Sequence, residues 1–306
     1  MLLVTGASGY VGRAVLSELV QHGHAIRTTT RAVSARSDQS AVFYDMSSEA
    51  PLSAALFEGV SGIVHCAGIA HRRAATHDYK QLNVTATVRL AQAAAMAGVS
   101  QFVFVSSMNI VPVDSRALDA EAAEWPEPGD PYSASKWLAE QELKRVLSGT
   151  ACDLTIVRPG LVYDQELTAN LARLQGLLGR YPVGLPAVGC RTMVGRPDLA
   201  RLLALIASGR CGARAGQAVL VASDGECYDA ARISRSLSPA GLRLPLPRLV
   251  WRLASLVIDW WSGRRAGATW ENLSHRFWCG SVPKAEAWKP SVTLEARLGP
   301  DRDMAC

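Results

Sequence analysis

The sequence predicts an α/β fold: a doubly wound parallel sheet with a smaller, discontinuous C-terminal lobe. Three observations lead there. Short apolar strands alternate with helical stretches as far as Pro159, the pattern of βαβ units that place helices on both faces of a parallel sheet. A glycine-rich turn, Thr5-Gly6-Ala7-Ser8-Gly9-Tyr10-Val11-Gly12, joins the first strand to the first helix. After Pro159 the rhythm breaks into a Gly-, Pro- and Arg-rich stretch, 160–196, before regular structure resumes.

Each element has its own reason. Residues 2–5 read as a buried strand and Tyr10 to about His22 as an apolar-periodic helix. Strands follow at 24–30, 41–45 and 62–66, then an alanine-rich helix over roughly 78–97 and a strand at 101–106. Residues 131–147 read as a helix with Pro131 in its first turn, where a missing N–H costs nothing. Residues 154–159 make a sixth strand. Beyond the break come a short helix near 168–179, a helix at 198–208 and an apolar strand at 217–222.

The chain has 306 residues, 49% hydrophobic and 19% charged, which describes a globular protein with ample core. Its formal net charge of +5 comes almost wholly from arginine, scattered rather than in runs, so a nucleic-acid footprint is not expected. Guanidinium groups suit anionic, phosphate-bearing substrates. Seven cysteines stand widely spaced without a C-x-x-C, which argues against a metal site or a disulfide framework and for a reducing compartment. A strand beginning at residue 2 leaves no room for a signal peptide, and no uncharged apolar run approaches ~20 residues. The expectation is a cytoplasmic protein with no transmembrane segment.

The chemistry gathers at four places. The glycine turn lets a pyrophosphate approach the backbone while the following helix offers N–H groups and partial positive charge. The end of the second strand carries Thr30-Arg31 where an NAD enzyme has a carboxylate for the ribose hydroxyls. A guanidinium beside that gap favours a 2′-phosphate and NADP, with NAD the alternative. Phe104-Val105-Ser106-Ser107-Met108 ends a strand at the sheet's carboxyl edge, where open α/β sheets bind ligands. Tyr132 and Lys136 stand four residues apart on one helix face, so an ammonium can lower the tyrosine's pKa and make its hydroxyl a proton donor or acceptor.

These motifs, with His65-Cys66-Ala67-Gly68, Asn83-Val84 and Arg158-Pro159, resemble in order and spacing the extended short-chain dehydrogenase/reductases. Within them the chain is similar to the nucleotide-sugar epimerase/dehydratase branch, the relatives of UDP-glucose 4-epimerase. It most resembles the bacterial UDP-N-acetyl-sugar 4-epimerases and 4-ketoreductases of surface-polysaccharide (O-antigen) synthesis. Pro131–Glu140, Arg158–Tyr163, Val221–Glu226 and Trp288-Lys289-Pro290 carry the finer likeness.

The resemblance implies a Rossmann-type NAD(P)-binding domain over 1–163 and 197–222, and a substrate lobe over 164–196 and 223–306. It implies Tyr132 as catalytic acid/base, Lys136 as its modulator and a ribose ligand, and Ser107 as the group orienting the substrate oxygen. Cofactor contacts are implied at Gly6, Ser8, Gly9, Tyr10, Val11, Gly12, Arg31, Asp45, Met46, Cys66, Ala67, Gly68, Asn83, Ser106, Tyr132, Lys136 and Pro159. A UDP-sugar would be held by Ser107, Asn170, Arg191 and His71, with no metal and with a homodimer as the assembly.

The implied activity is NADP-dependent reduction of the C4 keto group of a UDP-linked N-acetyl sugar, in one version 6-deoxy. The alternatives are an NAD-dependent 4-epimerase and a non-catalytic nucleotide sensor. Two departures stand out: Ser133 replaces the glycine usual after the tyrosine, and Asp164 replaces the one after Tyr163, before a loop that looks shortened. Residues 246–265 mix Leu, Val and Trp with arginines. Internal packing is the preferred reading, ahead of a membrane-surface helix, and a dimer contact is a further reading.

Overall fold

A computed structural model describes residues 1–30, 41–48, 50–70, 74–112, 125–167, 169–181, 183–211, 217–238, 244–277 and 288–298. β1 (Leu2–Thr5) leads into α1 (Tyr10–Gln21), followed by β2 (Ile26–Thr30), β3 (Ala41–Phe43) and β4 (Gly62–His65). α2 (Thr76–Tyr79) continues through a π-helical turn, Lys80–Thr85, into α3 (Ala86–Met96) and then β5 (Gln101–Val105). α4 (Pro131–Leu147) precedes β6 (Asp153–Pro159).

The remaining elements are β7 (Leu161–Tyr163), α5 (Ala169–Arg180), β8 (Val183–Gly184), β9 (Cys190–Arg191), β10 (Met193–Gly195) and α6 (Arg196–Ala207). After them come β11 (Gln217–Ala222), α7 (Ala230–Leu237), β12 (Leu244–Pro245), α8 (Arg248–Trp261), α9 (Ala268–Ser274), β13 (Arg276–Phe277) and α10 (Leu294–Leu298).

Seven strands form one parallel sheet in the order β11-β6-β5-β4-β1-β2-β3. Successive strand side chains point to opposite faces, and the sequence fills both with apolar residues. Val4, Val64, Val103 and Val157 pack with Val15 and Leu19 of α1 and Leu199 and Leu203 of α6. Leu3, Ile63, Phe102 and Ile156 pack with Leu90 of α3 and Leu143 of α4 on the other face. The expected doubly wound sheet is therefore present, with β6 one residue longer than predicted and β3 two shorter.

The lobe has a core of its own around Tyr163, Leu171, Leu178, Met193, Tyr228, Ile233 and Leu294. Three two-stranded parallel ladders, β7/β10, β8/β12 and β9/β13, frame it. Polar hubs fasten it to the sheet. Asp198 on α6 accepts from the Ser291 and Val292 backbone N–H groups, and the buried Trp288 indole donates to the Asp198 carbonyl at 2.8 Å. The near-terminal tryptophan motif thus latches the C-terminal segment onto α6.

Two expectations need correction. Cys190 and Cys227 form a disulfide, Cα atoms 5.3 Å apart, although the spacing argued against a disulfide framework. They lie 37 residues apart, and only tertiary pairing of Arg191 with Tyr228 brings them together. Residues 246–265 do not pack internally along their apolar face: Leu249, Leu253, Val257, Trp260 and Trp261 all point to solvent. No described helix is long and apolar enough to cross a membrane.

Candidate active site

The strand order reverses between β1 and β4, and in open α/β sheets the ligand crevice lies at the carboxyl ends of the strands at such a point. A cleft of about 1690 Å³ opens there and runs from Tyr44 and Asp45 across the strand ends into the lobe.

Its floor is the glycine turn. Gly6 adopts φ +70°, and a Cβ on Gly12 would come within 2.1 Å of the Gly6 carbonyl oxygen, so this tight turn needs glycine. Gly9 caps α1 without any side-chain hydrogen bond, which leaves the first-turn N–H groups to an anion. Gly6, Ser8, Gly9, Tyr10, Val11 and Gly12 all line the cleft. These residues fit the pyrophosphate of a nicotinamide dinucleotide. Tyr10 is held from behind: its hydroxyl donates to the Glu166 carbonyl at 2.9 Å and the Arg196 guanidinium lies 4.4 Å over its ring.

Along one wall stand Thr30, Asp45 and Met46, then Cys66, Ala67 and Gly68 after β4. Asp45 accepts from the Ser47 backbone N–H and hydroxyl at 2.9 and 2.7 Å, which fixes its carboxylate at the far end. Burial pushes the Cys66 thiol up to about 12, with Lys136 working the other way, so it stays protonated. Asn83 is not on the wall but behind it. Its side chain accepts from Ile69 N–H at 2.8 Å and donates to the Ile69 carbonyl and to Ser135 Oγ, both at 3.0 Å. The π-helical turn delivers it there. Arg31 and His71 lie outside the described residues. Asn170 belongs to α5.

The side chains expected to carry the chemistry line the cleft near the end of β5. Asp130 caps α4, accepting from Ser133 N–H at 3.1 Å, and so sets the face that carries Tyr132 and Lys136. Burial pushes the Tyr132 phenol up to about 12, with the hydrogen bond from Ser107 working the other way. Ser107 Oγ accepts from Asn109 N–H at 3.1 Å, which leaves its own proton to be donated.

Lys136 is buried on the same helix. Its ammonium donates to the Val105 carbonyl at 2.9 Å and lies 4.7 Å over the Phe104 ring. Burial pulls Lys136 itself down to about 8, against the pull of Cys66 and Glu140.

Ser106 lines the cleft, but its hydroxyl is committed to Glu140 at 2.5 Å. Glu140 also receives both arms of Arg158, at 3.1 and 2.6 Å, with all three residues buried. This closed network under Ser107 and beside Lys136 was not among the sequence expectations. Ser106, Glu140 and Arg158 each stood in a motif, but nothing in their spacing joined them. Pro159 and Arg191 also line the cleft, and Arg191 is depressed by burial.

Asp164 was marked in the sequence only as a departure, without a role. Nearly inaccessible, it accepts from Arg196 at 2.5 Å and Arg297 at 2.6 Å. Burial would raise its pKa, yet hydrogen bonds from Arg297, Gln165 N–H and Arg196 hold its carboxyl below the usual range. The lobe side of the cleft is lined by Leu171, Leu174, Leu178, Tyr181, Val183 and Ile233, an apolar wall legible only as helical spacing in α5. Trp251, Ser255 and Ile258 of α8 complete it.

The model of the NAD dependent epimerase/dehydratase family matches residues 2–172. The chain belongs to that family. It is 26% identical to a UDP-glucose 4-epimerase of Vibrio cholerae over 96% of this chain and 92% of the relative. It is 29% identical to a 2-alkyl-3-oxoalkanoate reductase of Stenotrophomonas maltophilia over 74% of this chain and 71% of that one. Among solved structures it resembles MoeE5 in complex with UDP-glucose and NAD, with TM-score 0.70, 21% identity and coverage of 97% and 95%. Membership makes the protein an NAD(P)-dependent enzyme, and Tyr132, Ser107 and Lys136 all line its cleft.

Proposed function

We propose that the protein reduces the C4 keto group of a UDP-linked N-acetyl sugar with NADPH. The observation that carries the reading is the convergence of Tyr132, Ser107 and Lys136 on a cleft that begins at an open helix N-terminus. The UDP-glucose 4-epimerase likeness over nearly the whole chain supports the sugar nucleotide. The missing carboxylate at Thr30 supports NADP.

When bound, the nicotinamide supplies the hydride. The chain's residues do the rest. Gly6 to Gly12 hold the pyrophosphate, Asp45 the adenine end, and Arg191 with Asn170 the diphosphate of the substrate. Tyr132, protonated at neutral pH, gives its proton to the developing alkoxide. Ser107 donates a hydrogen bond to the same oxygen, and Lys136 supplies the positive charge that eases loss of the phenolic proton.

Releasing and identifying the copurifying dinucleotide, then following NADPH oxidation with a UDP-4-keto sugar, tests this. Tightly bound, non-exchanging NAD and interconversion of UDP-N-acetylglucosamine without added cofactor would make the enzyme a 4-epimerase instead. The apolar lobe wall favours a second reading, a keto substrate bearing an alkyl group, in line with the 2-alkyl-3-oxoalkanoate reductase likeness. Turnover of a long-chain 3-oxoalkanoate in the same assay would select it.

A further inference from the structure

α8 is built inside out. At about 100° per residue, Arg248, Arg252, Ser255 and Asp259 fall on one arc and Leu249, Leu253, Leu256, Val257, Trp260 and Trp261 on the opposite one. In a helix packed on a core the apolar arc turns inward. Here two polar residues do, while Arg248 and Arg252 on the same arc stay exposed. Ser255 and Asp259 are buried, and Asp259 accepts from the Thr269 backbone N–H at 3.0 Å and from its hydroxyl at 2.5 Å. Arg248 donates to the Ala187 carbonyl at 2.9 Å, and the Arg252 guanidinium lies 5.2 Å over the Trp270 ring. These bonds fix the helix's rotation and leave its apolar arc outward: Leu249 is 67% exposed, Trp260 79% and Trp261 85%.

A contiguous apolar surface of this kind marks an interaction face. Its charge chooses the occupant. Segment 246–265 holds Arg248, Arg252, Arg264 and Arg265, all exposed, while its one carboxylate, Asp259, is buried. Arg265 pairs with Glu271, and the balance remains positive after both acids are counted. A second copy on this face would bring its own arginines against these. A negatively charged lipid surface complements them, and exposed tryptophans beside arginines suit the headgroup boundary.

We propose that α8 seats in the surface of an anionic bilayer, lying along it rather than across it. Trp251, Ser255 and Ile258, on the helix's inner side, line the cleft, so seating brings the substrate end of the site to the headgroup layer.

Cosedimentation of the full-length protein with phosphatidylcholine vesicles, with and without phosphatidylglycerol, tests this. Binding is expected only to the phosphatidylglycerol vesicles. It should weaken as salt rises, and tryptophan emission should shift to the blue on binding. A Leu253→Glu/Trp260→Glu variant is expected to bind roughly tenfold or more weakly, with unchanged circular dichroism. An Arg264→Glu/Arg265→Glu variant should lose most of the salt-dependent part. Absence of binding to phosphatidylglycerol vesicles would overturn the proposal. So would binding that the Leu253→Glu/Trp260→Glu change leaves intact. A vesicle-free dimer that this change dissociates would assign the face to a second copy, again overturning it.

Discussion

The parallel sheet and the lobe bury their chains by opposite logics. The sheet puts nearly continuous apolar strands between two helical layers, and it ties buried polar groups into sets such as Ser106–Glu140–Arg158. The lobe holds a small core, is tied down by carboxylates such as Asp164 and Asp198, and leaves much of its apolar surface on the cleft wall and on α8. The sheet is built to hold reactive groups still. On the proposed readings the lobe would meet something greasy or anionic.

The largest test of that contrast removes the proton donor. Tyr132→Phe should lower kcat by about 10²–10⁴-fold while NADPH binding, followed by fluorescence titration, stays within about twofold. Retained turnover would strip the sheet edge of its catalytic meaning.

Next is the network beneath it. Glu140→Ala takes the carboxylate away from the buried Arg158 guanidinium, and should cost about 3–5 kcal/mol in urea unfolding. A loss under 1 kcal/mol would mean that the sheet tolerates an open polar set after all.

In the lobe, Asp164→Asn keeps the volume but weakens two arginine bonds, with an expected loss of about 1–3 kcal/mol. The sign follows from the lowered pKa: the stabilisation is present above the ordinary carboxylate value and is lost as pH falls through the folded value. Wild type should therefore lose more stability than Asp164→Asn as pH drops below about 4. Parallel melting curves for the two would remove Asp164 as a clamp.

The smallest effect is a titration. Lys136 is pulled down to about 8, so its ammonium is present below that pH and lost above it. The value of kcat/KM for reduction should fall about tenfold between pH 7 and 9, with no matching break in a Lys136→Arg variant, whose charge persists. A flat profile would separate Lys136 from the proton transfer.

The contrast also explains what could be read from sequence. Strand and helix periods dominate the sheet, so its elements and the glycine turn, Ser107, Tyr132 and Lys136 were legible from spacing. Asn83 was legible as a motif residue but not as a strut behind the wall, because its π-helical turn breaks the 3.6-residue period. Asp164 was visible only as a departure. Its partners, Arg196 and Arg297, lie 32 and 133 residues away. The Cys190–Cys227 bond depends on tertiary pairing in the same way. For α8 the period reveals an apolar arc but not the direction it faces. That direction is set by Thr269 and Ala187, which local pattern cannot reach.

The π-helical turn at Lys80–Thr85 also works as a phase shifter. Widening one turn lets the chain carry one residue more than an α-helix would, which rotates everything before it by about 100° relative to everything after it. Tyr79 thereby faces the Tyr132 ring, 6.2 Å away, while Leu90, Ala91 and Ala94 still face the sheet. One extra residue lets a single rod serve two surfaces whose angular demands differ, and a one-residue deletion there would put catalytic wall and core out of phase without touching either.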